Sequence, residues 1–156
     1  MSGRSLPDVN GLQKLFTDLL GRAVKAKAAG SPLDVTKGAL CVAQYTAPDG
    51  ALGALFVAEV GIAAYLSAAL SIVPEARAKE AIKAGALDEL LQENFREVCN
   101  VVTAALNARG GSPMLVLKDV VGNPATADEA KALTSRLDVE VDVTGYGSGK
   151  LAILEA

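Results

Sequence analysis

Leu91-Gln-Glu-Asn-Phe-Arg-Glu97-Val-Cys-Asn100-Val-Val102 is the stretch from which the rest of the chain can be read. Leu91, Phe95, Val98, Val102 and Ala105 follow the four-three-four-three spacing of a helix with one buried face. At about 100° per residue, Glu93, Glu97, Asn100 and Ala104 fall on the opposite, solvent side. Glu97 and Asn100 are one turn apart, so an acid and an amide stand side by side on a shallow polar face. By spacing alone these are two surface residues, since Glu is common on outer helix faces and Glu-x-x-Asn is a short pattern.

The 156 residues suit one domain, 1–156, with a true core of its own. An apolar content of 51% argues against disorder. The longest apolar runs, Gly53 to Ala58 and Ile62 to Leu70, stop well short of the roughly 20 residues of a membrane span. Met1 to Val9 carries Arg4, Pro7 and Asp8 before any sustained hydrophobicity, unlike a secretion signal. The expectation is a cytoplasmic protein without membrane insertion. A net charge of −3 with dispersed Lys and Arg argues against a nucleic-acid partner. The densest basic group, Arg22, Lys25 and Lys27, is expected at the end of the first helix, where cations suit the helix dipole.

The chain has no histidine, which excludes Ser-His-Asp and Cys-His catalysis and any His-containing metal site built from these residues. Cys41 and Cys99 lie in separate elements and read as buried, reduced thiols, with a single bridge left open. Cys99, expected at the edge of the apolar face, is a weak candidate for a nucleophile.

Asp8 is the expected N-cap of a helix whose stripe runs through Leu12, Leu15, Phe16, Leu19, Leu20 and Ala23 to near Gly30. Val35 to Thr46 reads as a strand, Pro48-Asp49-Gly50 as a turn and Leu52 to Val60 as the returning strand of a hairpin. An alanine-rich helix follows from Gly61 to about Val73. A short polar helix runs from Pro74 through Lys83, and Gly85 separates it from the long helix, Ala86 to Asn107. Arg109 to Pro113 is a loop, and Met114 to Val121 is apolar enough for an interior strand. Thr126 to Glu129 is a capping box opening a helix that ends near Leu137. Asp138 to Val143 alternates as a half-exposed strand, and Leu151 to Leu154 completes the sheet.

Two motifs invite over-reading. Gly145-Tyr-Gly-Ser-Gly-Lys150 has three residues where a Walker loop needs four, lacks the Ser or Thr after Lys150, and reads as a hairpin turn. Asp138, Glu140 and Asp142 share a strand face, which the polar side of an outer strand explains better than a metal site.

Glu93, Glu97 and Asn100, the small or apolar residues 101 to 105, the Gly-bearing loop and the strand Met114 to Val121 together resemble the CheC/CheX/FliY family of chemotaxis phosphatases. That family's signature is Asp or Ser, three residues, Glu, two residues, Asn on a long helix. Here position 93 carries Glu, Ala104 replaces a usual glycine, and Pro124 only approximates a downstream proline. The resemblance implies an α+β fold, a mostly antiparallel mixed sheet of about five to six strands covered by two long helices in pseudo-twofold halves. The first helix has no Glu-x-x-Asn, so one site is expected, as in a CheX-like domain.

The resemblance further implies a substrate that is itself a protein, the phosphorylated aspartate of a CheY-like receiver domain. Asn100 would position the attacking water and Glu97 would dock to the receiver's lysine. Glu93 would lie at the rim, and Ala104 would let the partner approach the helix. The chain needs no cofactor of its own, because the Mg²⁺ is supplied by the receiver. Two other classes stand beside this one: a non-catalytic receiver-binding or assembly module related to flagellar switch domains, and a small-ligand sensor using a groove between helix and sheet. An apolar edge strand pairing with its own copy is the low-cost route to a homodimer.

Overall fold

Six strands form one open sheet in the computed structural model, which describes residues 7–108 and 114–156. In chain order the elements are α1 (Val9–Leu20), β1 (Val24–Ala28), β2 (Leu40–Thr46), β3 (Leu52–Glu59), α2 (Val60–Leu70), α3 (Glu75–Ala84), α4 (Glu89–Asn107), β4 (Val116–Val121), α5 (Ala127–Ala132), β5 (Ser135–Val143) and β6 (Gly147–Glu155). The sheet order is β1-β5-β6-β3-β2-β4, and every neighbouring pair is antiparallel. Exchanging β1, β2 and β3 with β4, β5 and β6 reverses that order onto itself. The expected pseudo-twofold plan is therefore present, each half a helix followed by three strands, with α2 and α3 inserted between the halves.

One face of the sheet carries the main core. Leu12 and Phe16 of α1, Ile62 and Leu66 of α2, and Leu91, Phe95, Val98 and Val102 of α4 pack on Tyr45, Phe56, Val139, Val141 and Ile153. Phe56 and Phe95 stack with ring centroids 6.0 Å apart. Burying aromatic pairs of this kind contributes packing beyond the area removed from water. The other face is covered by a smaller cluster, in which Leu33, Val35 and Leu133 lie on Val42, Leu55, Val57 and Leu154.

The Ser31 to Ala39 segment is strapped to that second face. Asp138 accepts the Leu33 N–H at 2.9 Å and Arg136 donates to the Leu33 carbonyl at 2.8 Å. Partial burial pushes the Asp138 carboxyl up, but the Arg136 guanidinium and the Leu33 N–H outweigh it and hold the carboxyl below its ordinary range.

Several sequence expectations need correction. The first helix stops at Leu20, because Gly21 takes the left-handed conformation (φ 65°) and its N–H returns to the Thr17 carbonyl. Residues 24–28, expected to continue that helix, form β1 instead, so Lys25 and Lys27 sit opposite Asp142 and Glu140 across the ladder and not at a helix end. β2 begins at Leu40, the preceding residues having left the sheet to cover its far face. The long helix begins at Glu89, since Asp88 is its cap. The second helix closes at Leu70, and α5 ends at Ala132, where Leu133 turns extended.

β4, expected inside the sheet, is an edge strand, and β5, expected at the outside, lies between β1 and β6. Strand order is set by pairing partners distant in sequence, which apolar content does not encode. The hairpin reading of Gly145 to Lys150 holds for the turn itself, where Gly145 has φ 86° and the Tyr146 N–H bonds the Val143 carbonyl at 2.9 Å. Gly147 to Lys150 already belong to β6, which starts four residues before the expected Leu151. The loop expected at 109–113 lies outside the described residues.

Candidate functional site

The helix that carries the candidate site starts on a built cap. The Asp88 carboxylate accepts the Leu91 N–H at 2.9 Å and pairs with Arg77 Nε of α3 at 2.8 Å. The side-chain hydrogen bond from Arg77 and the backbone N–H together hold the Asp88 carboxyl below its ordinary range. From there Leu91, Phe95, Val98, Cys99, Val102 and Leu106 are buried, so the inner face has the phase expected from the sequence. Ala105, counted in the stripe, is half-buried, while Leu106 and Cys99 are the fully buried residues of that last stretch.

Glu93, Glu97, Asn100 and Ala104 form an exposed ridge along the outer face, all four together as expected. The three asparagines of α4 behave differently. The Asn94 amide donates to the Ser67 carbonyl at 2.9 Å and to Ser71 Oγ at 2.7 Å, tying α4 to the end of α2. Asn107 donates to the Leu115 carbonyl at 2.9 Å and accepts the Leu115 N–H at 3.0 Å, tying α4 to the chain entering β4. The Asn100 amide engages none of the described residues, and neither do the carboxylates of Glu93 and Glu97.

A further tie meets the helix from below, where the Tyr45 hydroxyl of β2 donates to the Cys99 carbonyl at 2.7 Å. Burial pushes the Tyr45 phenol far above its ordinary value, with the nearby Cys99 adding to it, so it stays a donor. α4 is thus held at its cap, at Asn94, at Cys99 and at Asn107, and presents an unengaged acid and amide on a braced helix. Such a ridge offers hydrogen bonds and charge to a partner surface without first breaking contacts of its own.

Both cysteines are free and buried. Burial pushes the Cys41 thiol up to about 11 and raises Cys99 further, so neither supplies a thiolate near neutrality. Spacing puts Cys99 at the edge of the apolar face; the structure places it inside the core instead. No group of three His, Cys, Asp or Glu able to hold a metal ion occurs among the described residues. Among those residues, no helix is long and apolar enough to cross a membrane. A cleft of about 340 Å³ opens between α4 and the sheet corner, with Glu93 and Arg96 on its wall above Cys41 and Val121.

Sequence reasoning missed Asp88, Asn94 and Tyr45. The Asp before the helix stripe is a readable capping signal. The other two bond partners remote in sequence, which leave no local pattern.

No family model and no curated protein matches the sequence. Solved structures match its fold. The FliM middle domain from H. pylori has a TM-score of 0.64 at 7% identity, covering 94% of this chain and 84% of that one. A CheC-like superfamily protein from Shewanella has a TM-score of 0.52 at 14% identity, covering 95% and 94%. The chemotaxis protein CheX from Vibrio vulnificus has a TM-score of 0.51 at 15% identity, covering 95% and 93%. With its six-stranded antiparallel sheet, pseudo-twofold halves and long helices on one face, the chain has the fold of the CheC/CheX/FliY family, which the FliM middle domain shares.

Proposed function

We propose that this chain is a phosphatase for the aspartyl phosphate of a CheY-like receiver domain, with Asn100 positioning the attacking water and Glu97 docking to the receiver's lysine. The observation that carries the reading is the contrast within α4. Asn94 and Asn107 are committed to structure, whereas Asn100 stands exposed and unengaged one turn from an equally unengaged Glu97.

An acyl phosphate is hydrolysed by in-line attack of water, with charge spread over the phosphoryl oxygens and the leaving carboxylate, so catalysis is mostly positioning and electrostatics. The receiver supplies its own Mg²⁺ and lysine. What it lacks is a group that holds water opposite the leaving oxygen. An amide suits this because it donates and accepts without carrying charge. Glu97 gives the receiver's lysine an ion pair that desolvates on docking and fixes register. Glu93 sits at the rim, and the small Ala104 lets a partner loop come close to the helix.

The second reading, a non-catalytic receiver-binding or assembly module, is favoured by the higher TM-score of the FliM middle domain, a protein seen in a complex with FliG. The two readings part on turnover. Added in substoichiometric amount to a phosphorylated receiver encoded beside it, a phosphatase accelerates loss of the phosphoryl group over many turnovers. A module that binds the same receiver and leaves its decay unchanged supports the assembly reading instead.

A further inference from the structure

Tyr45 reaches from β2 to the backbone of α4 beneath the exposed ridge. It is the largest fully buried side chain among the described residues, and its hydroxyl donates to the Cys99 carbonyl at 2.7 Å. Helix geometry already gives that carbonyl the N–H of Thr103, and Thr103 Oγ1 approaches it at 3.3 Å. The tyrosine bond is therefore additional to what the helix needs. The carbonyl of Cys99 and the nitrogen of Asn100 belong to one planar peptide unit. Holding that oxygen holds the plane from which the Asn100 side chain departs.

The sheet is irregular at the same residue. The β2–β3 register slips between Tyr45 and Thr46, leaving Gly53 unpaired, and the β2–β4 register slips between Gln44 and Tyr45, leaving Lys118 unpaired. Bulges increase local twist and re-aim side chains. Here one falls on each flank of a single tyrosine. Gly53 is also where the Leu115 side chain packs directly against the β3 backbone, in the space a Cβ would take.

We infer that Tyr45 is a positioning residue, whose hydroxyl fixes the Cys99–Asn100 peptide and through it the aim of the Asn100 amide. Its effect on turnover rests on the phosphatase reading above, whereas its effect on the order of Asn100 does not. The plain alternative is a core tyrosine that found the nearest carbonyl, as Tyr146 does with the Val73 carbonyl at 2.7 Å. Tyr45→Phe separates them. It deletes one oxygen, keeps the ring, and leaves the Cys99 carbonyl with its helical partner, so no buried group is orphaned.

The experiment uses the full chain and a phosphorylated receiver. Tyr45→Phe should lower kcat by about tenfold with KM changed by less than about twofold, and should add nothing when combined with Asn100→Ala, because it acts through that residue. NMR order parameters of the side-chain amides should fall at Asn100 and stay unchanged at Asn94, which has its own ties. An unchanged kcat, or a loss that adds fully to that of Asn100→Ala, overturns the role in catalysis. If the parent shows no phosphatase activity, the phosphatase reading falls, and the amide measurement still decides the clamp: equal order at Asn100 in parent and variant overturns it.

Discussion

Asp88→Ala is expected to loosen the site helix at its start. Asp88 makes two separable contacts: a cap to the Leu91 N–H at 2.9 Å and an ion pair with Arg77 at 2.8 Å, the paired side chains being 44% and 41% exposed. The cap contributes about 1 kcal/mol. The pair is solvated enough to contribute roughly 0.2–1 kcal/mol. Asp88→Ala removes both and should cost about 1–2 kcal/mol, lowering Tm by roughly 3–6 °C in a chain of this length. Asp88→Asn keeps a capping oxygen and loses the charge, so its loss should stay at or below about 3 °C.

The two variants also differ from the parent with pH. The folded-state carboxyl is held below its ordinary value of 3.8, so its contribution is present above that pH and fades as pH falls below it toward the depressed folded value. The gap between parent and Asp88→Ala in thermal unfolding should therefore be full at pH 7 and shrink below about pH 4. An Asp88→Ala protein that melts with the parent at pH 7, or one indistinguishable from Asp88→Asn, would refute the division into cap and pair.

Phe95→Ala should destabilise by about 3–5 kcal/mol, measured by urea unfolding, because the ring is fully buried and stacked on Phe56. Cys41 and Cys99 should react with a disulfide reagent at pH 8 only after denaturant is added, burial having raised both thiols. Rapid labelling of the native chain would contradict their placement. Metal analysis of carefully desalted protein should find no stoichiometric divalent ion, since a lone carboxylate and amide bind one poorly. Tightly held Mg²⁺, Mn²⁺ or Zn²⁺ would point to other chemistry.

The inner face of α4 is legible in the sequence because Leu91, Phe95, Val98 and Val102 repeat with the helix itself, and a face opposite a buried stripe follows from geometry alone. The β2–β3 hairpin is legible for a similar reason, its Pro-Asp-Gly turn being a local signal. β1 is not. Val24-Lys-Ala-Lys-Ala28 has the composition of a helix continuing from α1, and only the left-handed Gly21 and pairing with a strand more than a hundred residues later make it extended.

β4 and β5 exchange their expected places for the same reason. The apolar run of β4 looks interior, while the acids of β5 look outer until Lys25 and Lys27 are found across from Asp142 and Glu140. At the site, spacing puts Glu97 and Asn100 on the outer face, but it does not distinguish Asn100 from Asn94. Contacts of Asn94 with Ser67 and Ser71, residues of another helix and its end, make that distinction.

The most direct test is the rate at which Asn100→Ala removes the phosphoryl group from the receiver, measured alongside affinity for the receiver carrying a phosphoryl mimic. If the amide holds the attacking water, the rate falls by roughly a hundredfold, about 3 kcal/mol of transition-state stabilisation, while affinity barely changes. Glu97→Ala, by contrast, weakens complex formation and turnover together. Both variants stay folded, because exposed helix positions accept alanine. An Asn100→Ala protein that dephosphorylates as fast as the parent would contradict the account.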